Sequence, residues 1–252
     1  MYLRRDHAEF DIPTLQRFIH DHPLGILTTA IKSPDYPLIQ SSHIPFILDV
    51  PEDLSATSPG VLRAHMAKQN PQAKVLMAAL AAKQAEQQTN TALELDDEVL
   101  VLFTAMDHYV TPKFYVQTKP ETGKVVPTWN YAAVQAYGKI RVFCDSKAEE
   151  TSTFLQRQIE DLSQHAETAI MHFDKPWKVS DAPVPYIELL KKNIIGIEIR
   201  IERLEGKFKM SQEMGVGDRK GVVEGFEKLG TDIGKEMAKC IKERWEIKDG
   251  LR

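Results

Sequence analysis

Aromatic and hydrogen-bonding side chains alternate in one short segment near the middle of the chain. Between two strand-like runs, residues 123–131 end in Thr128, Trp129, Asn130 and Tyr131. Successive side chains of a strand point to opposite faces, so Trp129 and Tyr131 share one face. Thr128 and Asn130 share the other face. An aromatic wall beside hydroxyl and amide groups suits a flat polar ring. The structural alternative makes Trp129 a core anchor and leaves Asn130 to satisfy a buried turn.

Cationic side chains gather just before a predicted helix start. Arg63 and His65 lie on one face of a predicted strand, and Lys68 follows it. Asn70 and Pro71 then begin a helix, because Asn caps free amides and Pro suits the first turn. The positive end of that helix, with Arg63 and Lys68, would bind a phosphate dianion. In the alternative, both cations solvate a strand end and His65 is a core histidine.

Two further lysines alternate on a late predicted strand. Lys207 and Lys209 follow Gly206, which is expected to turn the chain back, and both lie on one strand face. They could neutralise a phosphate or a carboxylate. They could equally be the solvated face of an edge strand, where lysines oppose aggregation. No Rossmann or P-loop glycine motif is present in the sequence, so a phosphate needs another kind of cradle.

These segments occur in an order that resembles a known family. Residues 62–71, 123–131 and 203–212 carry most of the resemblance, with shorter matches at 22–25, 42–46, 176–183 and 195–199. From Met1 to about Phe226 the chain is similar to the PaiB-like family, described as FMN-binding negative transcriptional regulators with a split β-barrel fold. The chain departs from the family in a longer segment over 72–97 and in Glu213, where the family pattern has Asn.

The resemblance implies a fold, a cofactor and a set of binding residues. The implied fold is a β-barrel with helices, α+β in class: an FMN-binding split β-barrel with peripheral and C-terminal helices. FMN is the implied cofactor, and a homodimer would share the flavin site between subunits. Ser42 and His43 lie on a strand that resembles the family's flavin-facing strand. The residues expected to bind the cofactor are Ser42, His43, Arg63, His65, Lys68, Asn70, Thr128, Trp129, Asn130, Tyr131 and Lys207.

Periodicity and turn residues divide the chain into many strands with helices between and after them, which favours a barrel over a parallel α/β sheet. We predict an FMN-binding domain over 1–213, with helical insertions at about 70–97 and 146–193, and a helical extension over 214–252. The predicted caps are Asp11, Asn70, Ser146 and Asp181. The predicted strands cover 24–31, 38–48, 60–66, 98–104, 124–131, 134–144 and 194–201, with a loop over 51–59.

Bulk composition limits the function classes. The formal net charge is −4, and a basic footprint of the kind nucleic-acid binders carry is missing, so direct DNA contact is doubtful. The two cysteines, Cys144 and Cys240, lie far apart in the sequence, and we predict that both are reduced thiols. No apolar run approaches the roughly 18 residues of a membrane helix. We therefore expect a cytoplasmic protein that does not contact a membrane.

Three functions stay open at this point. The first is a flavin-binding regulator, which the family description implies. The second is an FMN-dependent oxidoreductase on a small molecule; no catalytic nucleophile motif is present, so the flavin would carry its chemistry. The third is a haem-binding or haem-degrading protein, suggested by His43, His65 and His108 because related split barrels include haem-handling proteins. A lone histidine is more often structural than a ligand.

Overall fold

The computed structural model describes residues 1–50 and 58–250. Residues 51–57 of the predicted 51–59 loop therefore lie outside the described residues. The chain forms two compact units. The first contains residues 1–10, 104–134 and 205–252, and the second contains residues 11–103 and 135–204. The division into domains at 213 and 214 stays a prediction.

The described residues form the strands β1 (Ala8–Glu9), β2 (Leu24–Ala30), β3 (Ile39–Pro45), β4 (Ile47–Asp49), β5 (Val61–Ala67), β6 (Glu94–Val110), β7 (Thr128–Phe143) and β8 (Ile194–Lys209). Their order in the sheet is β3-β2-β6-β7-β8-β5-β4, and β1 pairs with β8. Pairing is antiparallel between β2 and β3, β2 and β6, β4 and β5, β5 and β8, and β1 and β8. This pairing excludes a parallel α/β sheet for those strands.

Strands β6, β7 and β8 are longer than the sequence predicts. The two strands predicted over 124–131 and 134–144 are one continuous strand, β7. The predicted turn at Gly206 is wrong: β8 continues through Gly206 to Lys209, and Gly206 pairs with Glu9 of β1. Strand pairing satisfies the backbone groups through these positions, so the local signals for a break are overridden.

Gly138 marks a close approach of two backbones in the second unit. A Cβ placed on Gly138 would collide with the carbonyl oxygen of Arg200 in β8. Only glycine tolerates this approach without moving a strand, which is the usual reason for a glycine inside a strand.

Some helices of the second unit begin at the predicted capping residues, and others begin without a side-chain cap. The caps at Asp11 and Asn70 are confirmed, because their carboxylate and amide oxygens accept from Thr14 N and Gln72 N. The caps at Ser146 and Asp181 are wrong, because the next helices have Ala148 and Pro183 at their N-caps, without side-chain caps. The helices are α1 (Ile12–Asp21), α2 (Pro71–Gln87), α4 (Glu149–His165) and α5 (Val184–Lys191).

The first unit contains a short helix, α3 (Thr118–Thr122), and two longer ones, α6 (Val216–Lys228) and α7 (Asp232–Lys248). Phe226 of α6 is fully buried, and the rings of Phe114 and His108 contact its ring edge to face. The two C-terminal helices are therefore integral to this unit. No helix in the described ranges has the length and apolar run that a bilayer span requires.

Asp218 joins α6 to the start of α3. Its carboxylate accepts from Gln117 N at 2.9 Å and from the Thr118 hydroxyl at 2.5 Å. Burial alone would raise the pKa of Asp218, but the hydrogen bonds from Thr118 and Gln117 outweigh it and hold the pKa below its ordinary value. The ionised form is therefore the one that stabilises the fold.

We expect Asp218→Asn to lower the free energy of unfolding at pH 7 by about 1.5 kcal/mol, the scale of a hydrogen bond to a charged group. A carboxylate with a depressed folded-state pKa stabilises above its unfolded pKa, near 4, and that stabilisation is lost as pH falls through the folded value. The stability difference between the two proteins should therefore shrink as pH falls below about 4 and vanish below the folded-state pKa. Urea unfolding at pH 7 and at the lowest pH where both proteins stay folded measures this decline.

Asp232→Asn is the matched control, because Asp232 is fully exposed at the start of α7. It should change stability by less than about 0.5 kcal/mol at either pH. A difference between Asp218→Asn and wild type that persists unchanged at low pH would contradict the assignment to the ionised carboxylate.

Candidate functional site

An open aromatic surface lies in the first unit, at the start of β7. The Trp129 side chain is 52% exposed and meets the ring of Tyr109 edge to face, with centroids 6.1 Å apart. Tyr109 is itself 43% exposed. Large aromatic groups left this open on neighbouring strands form a surface on which a flat ring can pack. The core-anchor alternative for Trp129 is therefore not what the structure shows.

Two lysines of β8 lie beside this aromatic segment. The Lys209 ammonium donates to the Thr128 hydroxyl and, at 2.7 Å, to the Trp129 carbonyl oxygen. The Lys207 ammonium lies 5.3 Å from the centroid of the Tyr131 ring, a cation–π contact. Burial lowers the pKa of Lys209, with a raising influence from Glu213. The structure thus brings Thr128, Trp129, Tyr131 and Lys207 together.

Asn130 lies beneath these residues and is fully buried. Its Oδ1 accepts a hydrogen bond of 3.0 Å from Ser211 Oγ. Its Nδ2 is enclosed and has no hydrogen-bond partner among the described residues. A buried donor without a partner costs free energy, but Asn130 points to the strand face opposite Trp129, so a ring packed on Trp129 does not reach it.

A second group of predicted residues lies in the second unit, where β3 meets the start of α2. Asn70 Nδ2 donates to Ser42 Oγ at 3.0 Å, while its Oδ1 caps α2 through Gln72 N. Pro71 has no N–H, so the cap leaves few free amides at this helix start. In the described ranges, the Lys68 ammonium makes no hydrogen bond or ion pair. Charge for a phosphate here would come from Lys68, with the Ser42 hydroxyl as a neighbour.

Arg63 does not join this second group. Its guanidinium donates to two carboxylates and an amide oxygen. Nε and Nη2 donate to Asp49 at 2.5 and 2.9 Å, and Nη2 also donates to Asp161 at 2.6 Å. Nη1 donates to Gln158 at 3.1 Å. The side chain is 2% exposed. Every polar group of the guanidinium is already engaged, so the geometry supports a structural role for Arg63 rather than a phosphate fork.

The three histidines considered for haem occupy different places. His43 is exposed on β3, opposite Ile26. His108 donates through Nδ1 to the Tyr109 carbonyl oxygen at 2.8 Å and packs against Phe226. His65 shares a strand face with Arg63, as predicted, and lines an apolar cavity. No group of metal-ligating side chains occurs within residues 1–50 and 58–250.

Sequence reasoning missed Tyr109 and Ser211 as partners of this segment. Tyr109 lies on β6 and Ser211 beyond β8, so their contacts with Trp129 and Asn130 depend on long-range strand pairing. Ser211 lies in the motif segment 203–212, but nothing local in the sequence marks either residue as a neighbour of 128–131. The alternation of Lys207 and Lys209 is evident in the sequence, but the sequence does not predict the hydrogen bonds of Lys209 to Thr128 and Trp129.

Comparison with known proteins gives the family. Residues 1–203 match the family described as "Putative FMN-binding domain". The chain belongs to this family. An uncharacterized protein of Aspergillus fumigatus is 68% identical over 260 aligned residues, which cover 99% of each chain. The protease synthase and sporulation protein PAI 2 of Bacillus subtilis is 27% identical over 152 residues, 60% of this chain and 65% of that protein.

Among solved structures, the flavocytochrome Anf3 from Azotobacter vinelandii covers 82% of this chain and 72% of its own, with 10% identity and a TM-score of 0.44. The predicted fold class, an α+β FMN-binding split-barrel fold with added helices, is confirmed by the family and by the antiparallel strands. The prediction of FMN as the cofactor is confirmed by the family match.

Each unit, taken by itself, contains residues whose chemistry fits one end of FMN. A dianionic phosphate needs cations and hydroxyl donors; in the second unit Lys68, two residues before Asn70 in the chain, supplies a cation and Ser42 a hydroxyl. A flat ring with a polar edge needs an aromatic surface and hydrogen-bond donors. In the first unit, Trp129 supplies the aromatic surface, and the Lys207 ammonium beside Tyr131 supplies a donor. The contacts of each predicted residue with FMN stay predictions.

Proposed function

We propose that this protein is an FMN-dependent oxidoreductase that acts on a small molecule. The observation that carries the proposal is the pairing of the open Trp129 surface with Lys207 and Lys209, which lie against the same strand segment. A flavin supplies hydride and single-electron transfer when bound. A reduced flavin carries added negative charge, and fixed ammonium groups near a ring stabilise such charge most where water is excluded.

The chain's own side chains have distinct tasks in this proposal. Trp129 and Tyr109 exclude water from one face of a bound ring. Lys209 holds the strand end in place through Thr128 and the Trp129 carbonyl, and it carries a positive charge whose burial makes its field stronger.

The visible spectrum of the purified protein, followed by titration with FMN, tests this proposal. Saturable FMN binding with a midpoint potential above that of free FMN is expected, because nearby cations favour the reduced form. Lys209→Gln should lower that potential and Lys209→Arg should restore it. A haem spectrum would replace the flavin proposal with the haem alternative. A bound flavin with the midpoint potential of free FMN, and with the same potential in wild type and Lys209→Gln, would refute the redox role.

A PaiB-type transcriptional regulator is the second candidate, favoured by the similarity to the Bacillus subtilis protein. Electrostatics oppose direct DNA contact. Helix α7 carries lysines, but Lys235 is paired with Asp232 at 3.3 Å and Lys242 with Glu227 at 2.6 Å. With a net charge of −4, binding to DNA should be weak and independent of sequence at physiological salt. Tight binding to one sequence that survives raised salt would favour the regulator.

We expect the protein to be a homodimer that shares its flavin site, and we propose a cytoplasmic location. Both cysteines are free thiols, which suits a reducing compartment. Light scattering should give twice the 28.6 kDa mass of one chain. Dilution that dissociates the dimer should release FMN in parallel, since the site needs both subunits. A monomer that retains FMN with unchanged affinity would contradict the shared site.

A further inference from the structure

A cavity of about 400 Å³ lies in the second unit between β5, β8 and the helices α4 and α5. Its wall is mainly apolar, and the exposed Trp177 and Leu190 belong to its outer part, while Val179 is buried. Its volume is within the range of about 300–1,000 Å³ typical of small-molecule sites. The residues that matter here are His65, Leu162, Trp177, Ile187, Leu190 and Lys191.

The charged group in this wall is already neutralised. The Lys191 ammonium pairs with Glu188 at 3.0 Å and donates to Ser152 and Gln156, each at 3.2 Å. The side chain of Lys191 is nearly buried, so its methylene stem is what it adds to the apolar wall. Asn193 is likewise engaged, because its Nδ2 donates to Leu189 O at 3.0 Å. An anion entering the cavity would lose its hydration without meeting a free positive charge.

His65 is a polar group of the wall that is not engaged in this way. Its Nδ1 is enclosed and has no hydrogen-bond partner among the described residues. Burial lowers the pKa of His65, so the imidazole is neutral near pH 7. A neutral imidazole has one N–H donor and one acceptor nitrogen, which can serve a ligand hydroxyl or N–H.

We propose that this cavity is a binding site for a small, uncharged, largely apolar molecule that carries one hydrogen-bonding group for His65. The cavity size and apolar wall favour a compact ring or branched ligand, and the neutralised Lys191 disfavours an anionic one. The proposal separates this site from the flavin site, because Lys191, the lysine of its wall, is already paired.

The test uses three probes of one shape: 2-naphthol, naphthalene and 2-naphthoate. Isothermal titration should give saturable binding of 2-naphthol, with naphthalene about tenfold weaker, the scale of one hydrogen bond. Binding of 2-naphthoate should be at least tenfold weaker, because its carboxylate loses hydration. The imidazole NMR signals of His65 should shift on 2-naphthol binding. His65→Phe should remove the preference for 2-naphthol over naphthalene while leaving naphthalene binding unchanged.

Two variants on α5 provide the matched comparison. Ile187→Trp should fill the cavity and abolish binding of 2-naphthol, whereas Leu189→Trp, on the same helix but outside the cavity wall, should leave it intact. Neither variant should change FMN affinity. The proposal is overturned if no probe binds saturably, if 2-naphthoate binds best, or if FMN displaces 2-naphthol one for one, which would make the cavity part of the flavin site.

Discussion

Replacing Arg63 with Ala is expected to lower the free energy of unfolding by about 3 kcal/mol, the low end for breaking a buried ion pair. The low end applies because Asp49 and Asp161 are partly exposed and solvent screens part of their repulsion. Burial would lower the pKa of Arg63, but the two carboxylates outweigh it and raise that pKa, so Arg63 is charged at any accessible pH. Urea unfolding at pH 7 measures the loss.

Arg157→Ala is the matched control for this experiment. Arg157 contacts the same two carboxylates, at 3.2 Å to Asp49 and 3.4 Å to Asp161, but its side chain is 62% exposed. Its loss should cost less than about 1 kcal/mol, because exposed ion pairs contribute little. FMN affinity of the Arg63→Ala protein, measured where it stays folded, should match wild type. If the Arg63→Ala protein instead has wild-type stability and weakened FMN binding, Arg63 contributes to the phosphate site.

Arg63 also shows what the sequence could and could not reveal. Strand periodicity correctly places Arg63 and His65 on one face of β5. It cannot reveal what covers that face. The covering helix α4 begins more than 80 residues later, and its Gln158 and Asp161 turn a candidate phosphate ligand into an ion-pair centre. Long-range contacts of this kind leave no local sequence pattern.

The aromatic segment was the more predictable site. Alternation along one strand fixes the faces of Trp129 and Asn130 wherever the strand lies, and the structure leaves Trp129 open and Asn130 buried. The failures lie in chain breaks. The sequence predicts a strand start at residue 124, a break between residues 131 and 134 and a turn at Gly206. Instead, β7 begins at Thr128 and runs unbroken to Phe143, and β8 continues through Gly206. Pairing partners, rather than local propensity, decide where a strand ends.

Lys68→Ala is expected to weaken FMN binding about 10- to 100-fold while leaving riboflavin affinity nearly unchanged. A charge-assisted hydrogen bond to a phosphate is worth about 1.5–3 kcal/mol, and riboflavin has no phosphate. Lys68 suits this role because its ammonium has no hydrogen bond or ion pair within the described ranges. The nearby Asn70 also holds the Ser42 hydroxyl at 3.0 Å. Parallel fluorescence titrations with the two flavins give the ratio directly.

Lys74→Ala separates a specific contact from a general effect of charge. Lys74 is an exposed lysine in the first turns of α2, the helix that begins three residues after Lys68, and it lies near the Tyr36 ring. Its removal changes the net charge by the same amount. A long-range field is screened within about 10 Å at 0.1 M salt, whereas a direct phosphate contact persists. The Lys74 variant should therefore keep wild-type affinity for both flavins. Equal losses of FMN and riboflavin in the Lys68 variant would show that Lys68 supports the fold of this region, and the phosphate would then belong to other cations.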